Sequence, residues 1–167
     1  LAHHGHYTES LQRLGVEALY HPWIADPVAW LREHGSLLDM VILSRHYVAS
    51  AYAPLVRVYA PHARLVFDTV DLHYLREQRE AELSGSREQA QTAAITRGKE
   101  LALIRSSDIT LVVSPVEQEL LAREAPGARW FPLPSAVRPQ FIGAGHTCRQ
   151  RRSGRQRSDR GAVRHGP

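Results

Sequence analysis

Leu65-Val-Phe67, followed at once by Asp68-Thr69, is the stretch that decides the fold. Met40-Val-Ile-Leu43 and Ile109-Thr-Leu-Val-Val113 have the same form, and each is also followed directly by a polar residue. Short continuous aliphatic runs, without polar alternation, are typical of parallel strands that are covered on both faces. The three runs therefore predict three central strands of a parallel sheet.

The segments between these runs carry helix signals. Asp26-Pro27 predicts a helix start, with aspartate as the N-cap and proline in the first turn, and Gly35 is expected to end that helix. Ser114-Pro-Val-Glu117 has the spacing of a capping box and predicts another helix. The stretch 72–106 is expected to form two helices that are separated by a break at 83–86, with Ser86 to Gln89 capping the start of the second helix.

Strands that alternate with helices predict β-α-β units with right-handed crossovers. Weaker strand patterns at 16–20 and 128–131 predict one flanking strand each. The predicted fold class is therefore α/β, a Rossmann-like, doubly wound parallel sheet that helices cover on both faces.

The positive charge is concentrated at the C-terminal end. Residues 138–167 carry eight arginines and one aspartate, so the preceding part is mildly acidic although the whole chain has a net charge of +4. A chain of 167 residues with 43% hydrophobic content has the size of a single domain. We predict a Rossmann-like domain over residues 1–136 and a disordered arginine-rich tail over residues 137–167, where too few apolar residues offset the ordering entropy.

Two interpretations of the tail stay open. An arginine-rich segment can neutralise nucleic-acid phosphates. Alternatively, the abrupt change in composition after about Ala136 indicates a coding sequence read out of frame. The chain also begins at Leu1 without a methionine or a leader, which predicts that the domain is incomplete at its N-terminus.

The composition favours a cytoplasmic protein. No apolar run approaches the roughly 20 residues that a bilayer-spanning helix needs. The single cysteine, Cys148, cannot form an intrachain disulfide, which fits a reducing compartment.

Polar residues after the predicted strands form the candidate site, because ligands of open parallel sheets bind beyond the carboxyl ends of the strands. The candidate substrate-binding residues are Arg45, Asp68, Thr69, Arg76 and Ser114, with Ser44 beside them. Such side chains, together with a helix N-terminus, can bind sugar hydroxyls or an anionic group.

Asp71 and His73 are the candidate catalytic residues. An imidazole titrates near neutral pH and can act as a general base toward an acceptor hydroxyl. Structural alternatives stay open: Asp71 can cap the following helix, and Asp68 can accept hydrogen bonds from loop amides. Arg76 can likewise pair with Glu80 on a solvated helix face.

Metal and cofactor sites are not indicated. His3, His4 and His6 have no matching cluster of cysteines or carboxylates, so we predict no metal site. The chain has no Gly-x-Gly-x-x-Gly run and no Gly-Lys-[Ser/Thr] run, which are the usual dinucleotide and P-loop signatures. A nucleotide, if one is used, is therefore expected to be held elsewhere, and we expect no bound cofactor.

Several stretches together carry a family resemblance, which covers roughly residues 7–135. They are Tyr59-Ala-Pro-His-Ala-Arg-Leu-Val-Phe-Asp-Thr-Val-Asp-Leu-His-Tyr-Leu-Arg-Glu-Gln-Arg-Glu-Ala-Glu82, Leu101-Ala-Leu-Ile-Arg105, Asp108-Ile-Thr-Leu-Val-Val-Ser114 with Glu117, and Pro126-Gly-Ala128 leading to Leu133-Pro134. These stretches resemble the N-terminal domain of bacterial family-4 (group 1) glycosyltransferases with GT-B architecture. The most specific part is Asp68-Thr-Val-Asp-Leu-His73.

The resemblance implies two Rossmann-like domains that face a cleft, with the acceptor on the N-terminal domain and a nucleotide-sugar donor on the C-terminal domain. It implies that Asp68, Asp71 and His73 line the acceptor side of the cleft. Arg45 and Ser114 would then lie at neighbouring strand ends. No divalent metal is usually required, and the donor phosphate is usually drawn as assisting the retaining reaction.

The chain departs from the family pattern at both ends. The first strand and its Gly-rich loop are missing before Leu1, and Leu133-Pro-Ser135 replaces the common Leu-Pro-Asn. Nothing after Ala136 resembles a donor domain, so we expect the chain alone to be inactive in transfer. Other function classes stay open: a stand-alone flavodoxin-like binding or signalling module, and a nucleic-acid binder that acts through the tail.

Overall fold

The computed structural model of the chain describes residues 5–133. These residues form an α/β structure with four strands and six α-helices. In chain order the elements are α1 His6–Arg13, α2 Pro27–His34, a 3-10 turn Gly35–Leu37, β1 Met40–Ser44, α3 His46–Tyr59, β2 Arg64–Asp68, α4 His73–Ser84, α5 Arg87–Ser106, β3 Ile109–Val112, α6 Pro115–Glu124 and β4 Trp130–Pro132. His3, His4 and the predicted tail at 137–167 lie outside the described residues.

The strands form one all-parallel sheet in the order β1-β2-β3-β4. Val66 in the middle of β2 lies opposite Ile42 of β1 and Ile109 of β3. The three strands predicted from the aliphatic runs and the flanking strand near 128–131 are confirmed, although β1 lies at the edge of the described sheet and not in its centre. The predicted strand at 16–20 is wrong. Among the described residues, β1 pairs only with β2, so 16–20 have no neighbouring strand to supply their backbone hydrogen bonds.

The strand order of the described sheet runs in one direction and never reverses. A doubly wound sheet contains a reversal in strand order, at the point where its ligands bind. The described residues therefore show the parallel α/β layering that the sequence predicts, but not the double winding.

The two faces of the sheet differ in how well they are covered. Successive side chains of a strand point to opposite faces. The side chains that pack into the main core with the helices are Leu43, Leu65, Phe67 and Val112. On the other face, Met40, Ile42 and Phe131 are each more than half exposed. Within residues 5–133, the prediction that helices cover both faces is therefore wrong for the outer strands β1 and β4.

The helix boundaries follow the local signals in the sequence. Asp26 caps α2 through its side chain, and Ser114 and Glu117 form both hydrogen bonds of the predicted capping box at the start of α6. Gly85 ends α4 in the left-handed conformation, with φ of 66°, and the Ser86 side chain then caps α5. These predictions are confirmed because each depends on residues close together in the chain.

One carboxylate joins β2, β3 and α3 at the amino end of the sheet. Oδ2 of Asp108 accepts a hydrogen bond from the Leu65 amide at 2.7 Å and another from the Arg57 guanidinium at 3.0 Å. The Leu65 amide and then Arg57 hold the pKa of Asp108 below its usual value, because both favour the charged form.

Asp108→Asn is expected to lower the free energy of unfolding at pH 7 by about 1 kcal/mol, because the charge that faces Arg57 is lost. The lowered pKa of Asp108 means that its stabilisation is present above about pH 3.9, the ordinary value, and is lost as the pH falls through the lowered pKa. Urea unfolding between pH 7 and pH 2 should therefore give a shallower acid loss for the variant. The control is Asp39→Asn, because Asp39 is exposed. An equal loss of stability at low pH in Asp108→Asn and in the wild-type chain would contradict this account.

Candidate functional site at the carboxyl ends of the strands

All the predicted site residues except Arg76 lie where β1, β2 and β3 end, at one edge of the sheet. We call the segments 44–46, 68–73 and 113–114 the rim. Arg76 lies three residues after His73, in α4. The Ser44 hydroxyl at the end of β1 donates to Oδ2 of Asp68 at the end of β2, at 2.8 Å. The other oxygen of Asp68 accepts the Val70 amide at 3.1 Å. The expectation that Asp68 accepts a loop amide is therefore confirmed, and its carboxylate also ties two strand ends together.

Thr69 has a structural contact instead of an open position. Its side chain is buried, and its hydroxyl donates to the carbonyl of Leu111 at 2.9 Å. Thr69 therefore joins β2 to β3 from inside the fold.

Asp71, His73 and Arg76 form a connected group at the start of α4. The Arg76 guanidinium donates to Oδ2 of Asp71 at 3.0 Å. The ion-pair partner of Arg76 is therefore Asp71 and not Glu80, the partner suggested by the sequence. The second terminal nitrogen of Arg76 lies 2.7 Å and 3.0 Å from the two ring nitrogens of His73. The alternative in which Asp71 caps the helix is wrong. The N-cap residue of α4 is Leu72, and the N-cap side chain forms no capping hydrogen bond.

A second histidine, His46, joins this group and was missed by the sequence analysis. Its ring centre lies 4.9 Å from that of His73, and Oε1 of Glu77 lies 3.7 Å from Nε2 of His73. Within the described residues, His46 Nδ1 and the other oxygen of Glu77 are buried without a hydrogen-bond partner. Burial and the neighbouring His73 lower the pKa of His46, which favours the neutral imidazole.

Backbone strain is concentrated at the rim. Among the described residues other than glycine, only Arg45 and Val70 have positive φ, at 74° and 63°. Such conformations cost about 1–3 kcal/mol each and cluster at functional sites, because the surrounding structure has to impose them. Arg45 is also exposed, and its guanidinium has no side-chain partner within residues 5–133.

Two buried glutamates support the loop that carries the catalytic candidates. Glu117 accepts the Leu72 amide at 2.9 Å with one oxygen and the Val113 and Ser114 amides with the other, at 3.1 Å and 3.2 Å. The sequence predicts the capping contact of Glu117 but not its contact with Leu72, which is distant along the chain.

Glu100, in the middle of α5, was missed because no local pattern marks it. Its two oxygens accept the amides of His73 at 3.0 Å and Tyr74 at 2.9 Å, and its side chain is fully buried. Burial raises the pKa of Glu100, although the two amides act in the opposite direction.

Within residues 5–133, no group of three or more His, Cys, Asp or Glu residues is arranged to hold a metal ion. In the same part of the chain, none of the helices has the length and the apolar character that crossing a membrane would require. Comparison of the chain with models of known families, with curated proteins and with solved structures gives no match.

Proposed function

We propose that this chain is the acceptor-side half of a bacterial glycosyltransferase with GT-B architecture. The complete enzyme would transfer a sugar from a nucleotide-sugar donor to an acceptor hydroxyl, in the cytoplasm. The observation that carries the proposal is that two hydrogen-bonded groups lie at the carboxyl ends of β1 and β2: Ser44 with Asp68, and Arg76 with Asp71 and His73. The motif in this region is also the most specific part of the family resemblance.

The chemistry that we assign to the rim is the activation and orientation of a hydroxyl group. His73 would accept the proton of the acceptor hydroxyl, since an imidazole can serve as a general base near neutral pH. Asp71, the second catalytic candidate, would hold Arg76 in place through their ion pair. Two exposed arginines, Arg45 and Arg76, would face the negative charge of the donor phosphates or of an acidic acceptor.

The proposed enzyme would include a second domain that carries most of the donor site. In that enzyme, further strands would supply the reversal in strand order that double winding requires. No resident cofactor is assigned: the nucleotide-sugar is a co-substrate.

The test is a transfer assay with a panel of nucleotide-sugar donors and hydroxylated acceptors. The chain of 167 residues is expected to be inactive, and a chain continued in the other reading frame after the codon for Ala136 is expected to transfer. In that longer chain, His73→Ala should reduce kcat by about 100-fold or more, the usual effect of losing a general base.

The control variant is His62→Ala, because His62 is exposed and precedes β2 at the opposite edge of the sheet. It should leave kcat unchanged. Transfer by the chain of 167 residues, or full activity of the His73 variant, would show that the proposal is wrong.

A further inference from the structure

Helix α4 begins inside the candidate site without a capping side chain of its own. The first amides of any helix have no partner within that helix and need acceptors from elsewhere. At the start of α4, the N-cap residue is Leu72, whose side chain cannot accept a hydrogen bond. The preceding carboxylate, Asp71, is directed to Arg76.

Carboxylates from two other helices supply the missing acceptors. Glu117 of α6 receives the Leu72 amide, and Glu100 of α5 receives the amides of His73 and Tyr74. Glu117 also receives the two amides that follow β3. The same pair of glutamates therefore fixes the loop after β2 and connects it to the loop after β3.

We infer that Glu100, assisted by Glu117, is a positioning residue that fixes the backbone at His73 and thereby the direction of its imidazole. The inference deepens the proposed function, on which it rests for the role of His73. It does not depend on that function for the contacts themselves, because both carboxylates and all three amides lie within the described residues.

The energetics of Glu100 favour a geometric role over a purely stabilising one. Both oxygens are used by amides, and within residues 5–133 Glu100 forms no ion pair, although it is fully buried. The raised pKa means that burial opposes the charged form more strongly than the amides favour it. The contribution of Glu100 to stability is therefore largest at low pH and is lost as the pH rises through the raised pKa.

The charges that act on Glu100 are two carboxylates. Asp71 and Glu77 both raise the pKa of Glu100, in addition to its burial. An apolar side chain in this place would avoid the burial of a charge, but it would leave the amides of His73 and Tyr74 without acceptors. Glu100 satisfies both amides at once, one with each carboxylate oxygen.

The test is Glu100→Gln in the chain of 167 residues, followed by amide hydrogen exchange measured by NMR. The two amides contact different oxygens of Glu100, and glutamine replaces one of these oxygens with an NH2 group that can only donate, so one amide loses the acceptor that it now uses. We expect the exchange of the His73 or Tyr74 amide to become at least about tenfold faster, on the scale of a lost hydrogen bond to a charged group. Amides in β2, such as that of Phe67, should keep their rates.

The matched control is Glu88→Gln, which removes an exposed carboxylate from the first turn of the same helix. It should leave the exchange of both site amides unchanged. Equal rates in the two variants would overturn the inference, as would uniform acceleration throughout the sheet, because the latter indicates only a general loss of stability.

Glu100→Asp provides a second variant if the glutamine variant does not fold. It keeps the charge but withdraws the oxygens by one methylene, so faster exchange is again expected at His73 and Tyr74 alone. These measurements need no sugar and no second domain. A failed transfer assay with normal exchange results would therefore reject the proposed function and leave the positioning role intact.

Discussion

Tyr74→Ala is expected to lower the free energy of unfolding by about 3–5 kcal/mol, the usual range for removing a large aromatic side chain from a core. Tyr74 is only 1% exposed and is among the largest fully buried side chains of the described residues. It lies one residue after His73, in the first turn of α4. The cavity would therefore form next to the candidate site. We expect the substitution to lower the stability and to displace the residues of the site.

Tyr74→Phe separates the ring from the hydroxyl. The hydroxyl donates to Glu124 over a long distance, 3.4 Å, and Glu124 keeps its ion pair with Arg97 when the hydroxyl is removed. The phenylalanine variant should therefore lose less than about 1 kcal/mol. The free energy of unfolding of both variants can be measured by urea unfolding, provided that the m-values do not change. Similar losses of free energy in the alanine and phenylalanine variants would contradict the assignment of the stability to packing of the ring.

Gly35→Ala is expected to lower the free energy of unfolding by about 1–3 kcal/mol, because there is no space for a side chain. A Cβ atom built on Gly35 would lie 2.4 Å from the carbonyl oxygen of Tyr59 and 2.9 Å from its carbonyl carbon. Both atoms belong to the backbone at the end of α3, so they cannot move aside as a flexible side chain would. The close approach of these two segments requires glycine.

Gly98→Ala is the control for this substitution. Gly98 lies in the interior of α5, and a Cβ atom there would meet no atom within 4 Å. Alanine should therefore stabilise the helix by up to about 1 kcal/mol, through its higher helix propensity. Urea unfolding of the two variants should give changes of opposite sign, and a Gly35 variant as stable as the wild-type chain would contradict the contact with Tyr59.

The sequence predicts the parts of the fold that depend on neighbouring residues. The aliphatic runs indicate β1, β2 and β3, and the capping signals at Asp26, Ser86 and Ser114 mark the starts of three helices. The failed strand at 16–20 shows the limit of such patterns, since a strand also needs a partner. The strand order and the exposed face of β1 are likewise properties of the whole sheet, which no short segment determines.

In the candidate site, too, some residues could be predicted from the sequence and others could not. The rule that ligands bind at strand ends brings Asp68, Asp71 and His73 to one edge from sequence alone. His46 was the one residue that a local signal could have revealed, since it directly follows the predicted site residue Arg45. Glu100 could not be recognised, because its partners lie 26 and 27 residues away and its own surroundings in the sequence resemble an ordinary amphipathic helix.

The one-directional order of the strands has a consequence for how the protein is made. Each strand pairs with the strand that precedes it in the chain, so β2 finds its partner already synthesised, and the same holds for β3 and β4. Translation releases about 5–20 residues per second, which is slow compared with the closure of short loops. The sheet can therefore be assembled strand by strand as the polypeptide leaves the ribosome, without waiting for a distant segment to emerge.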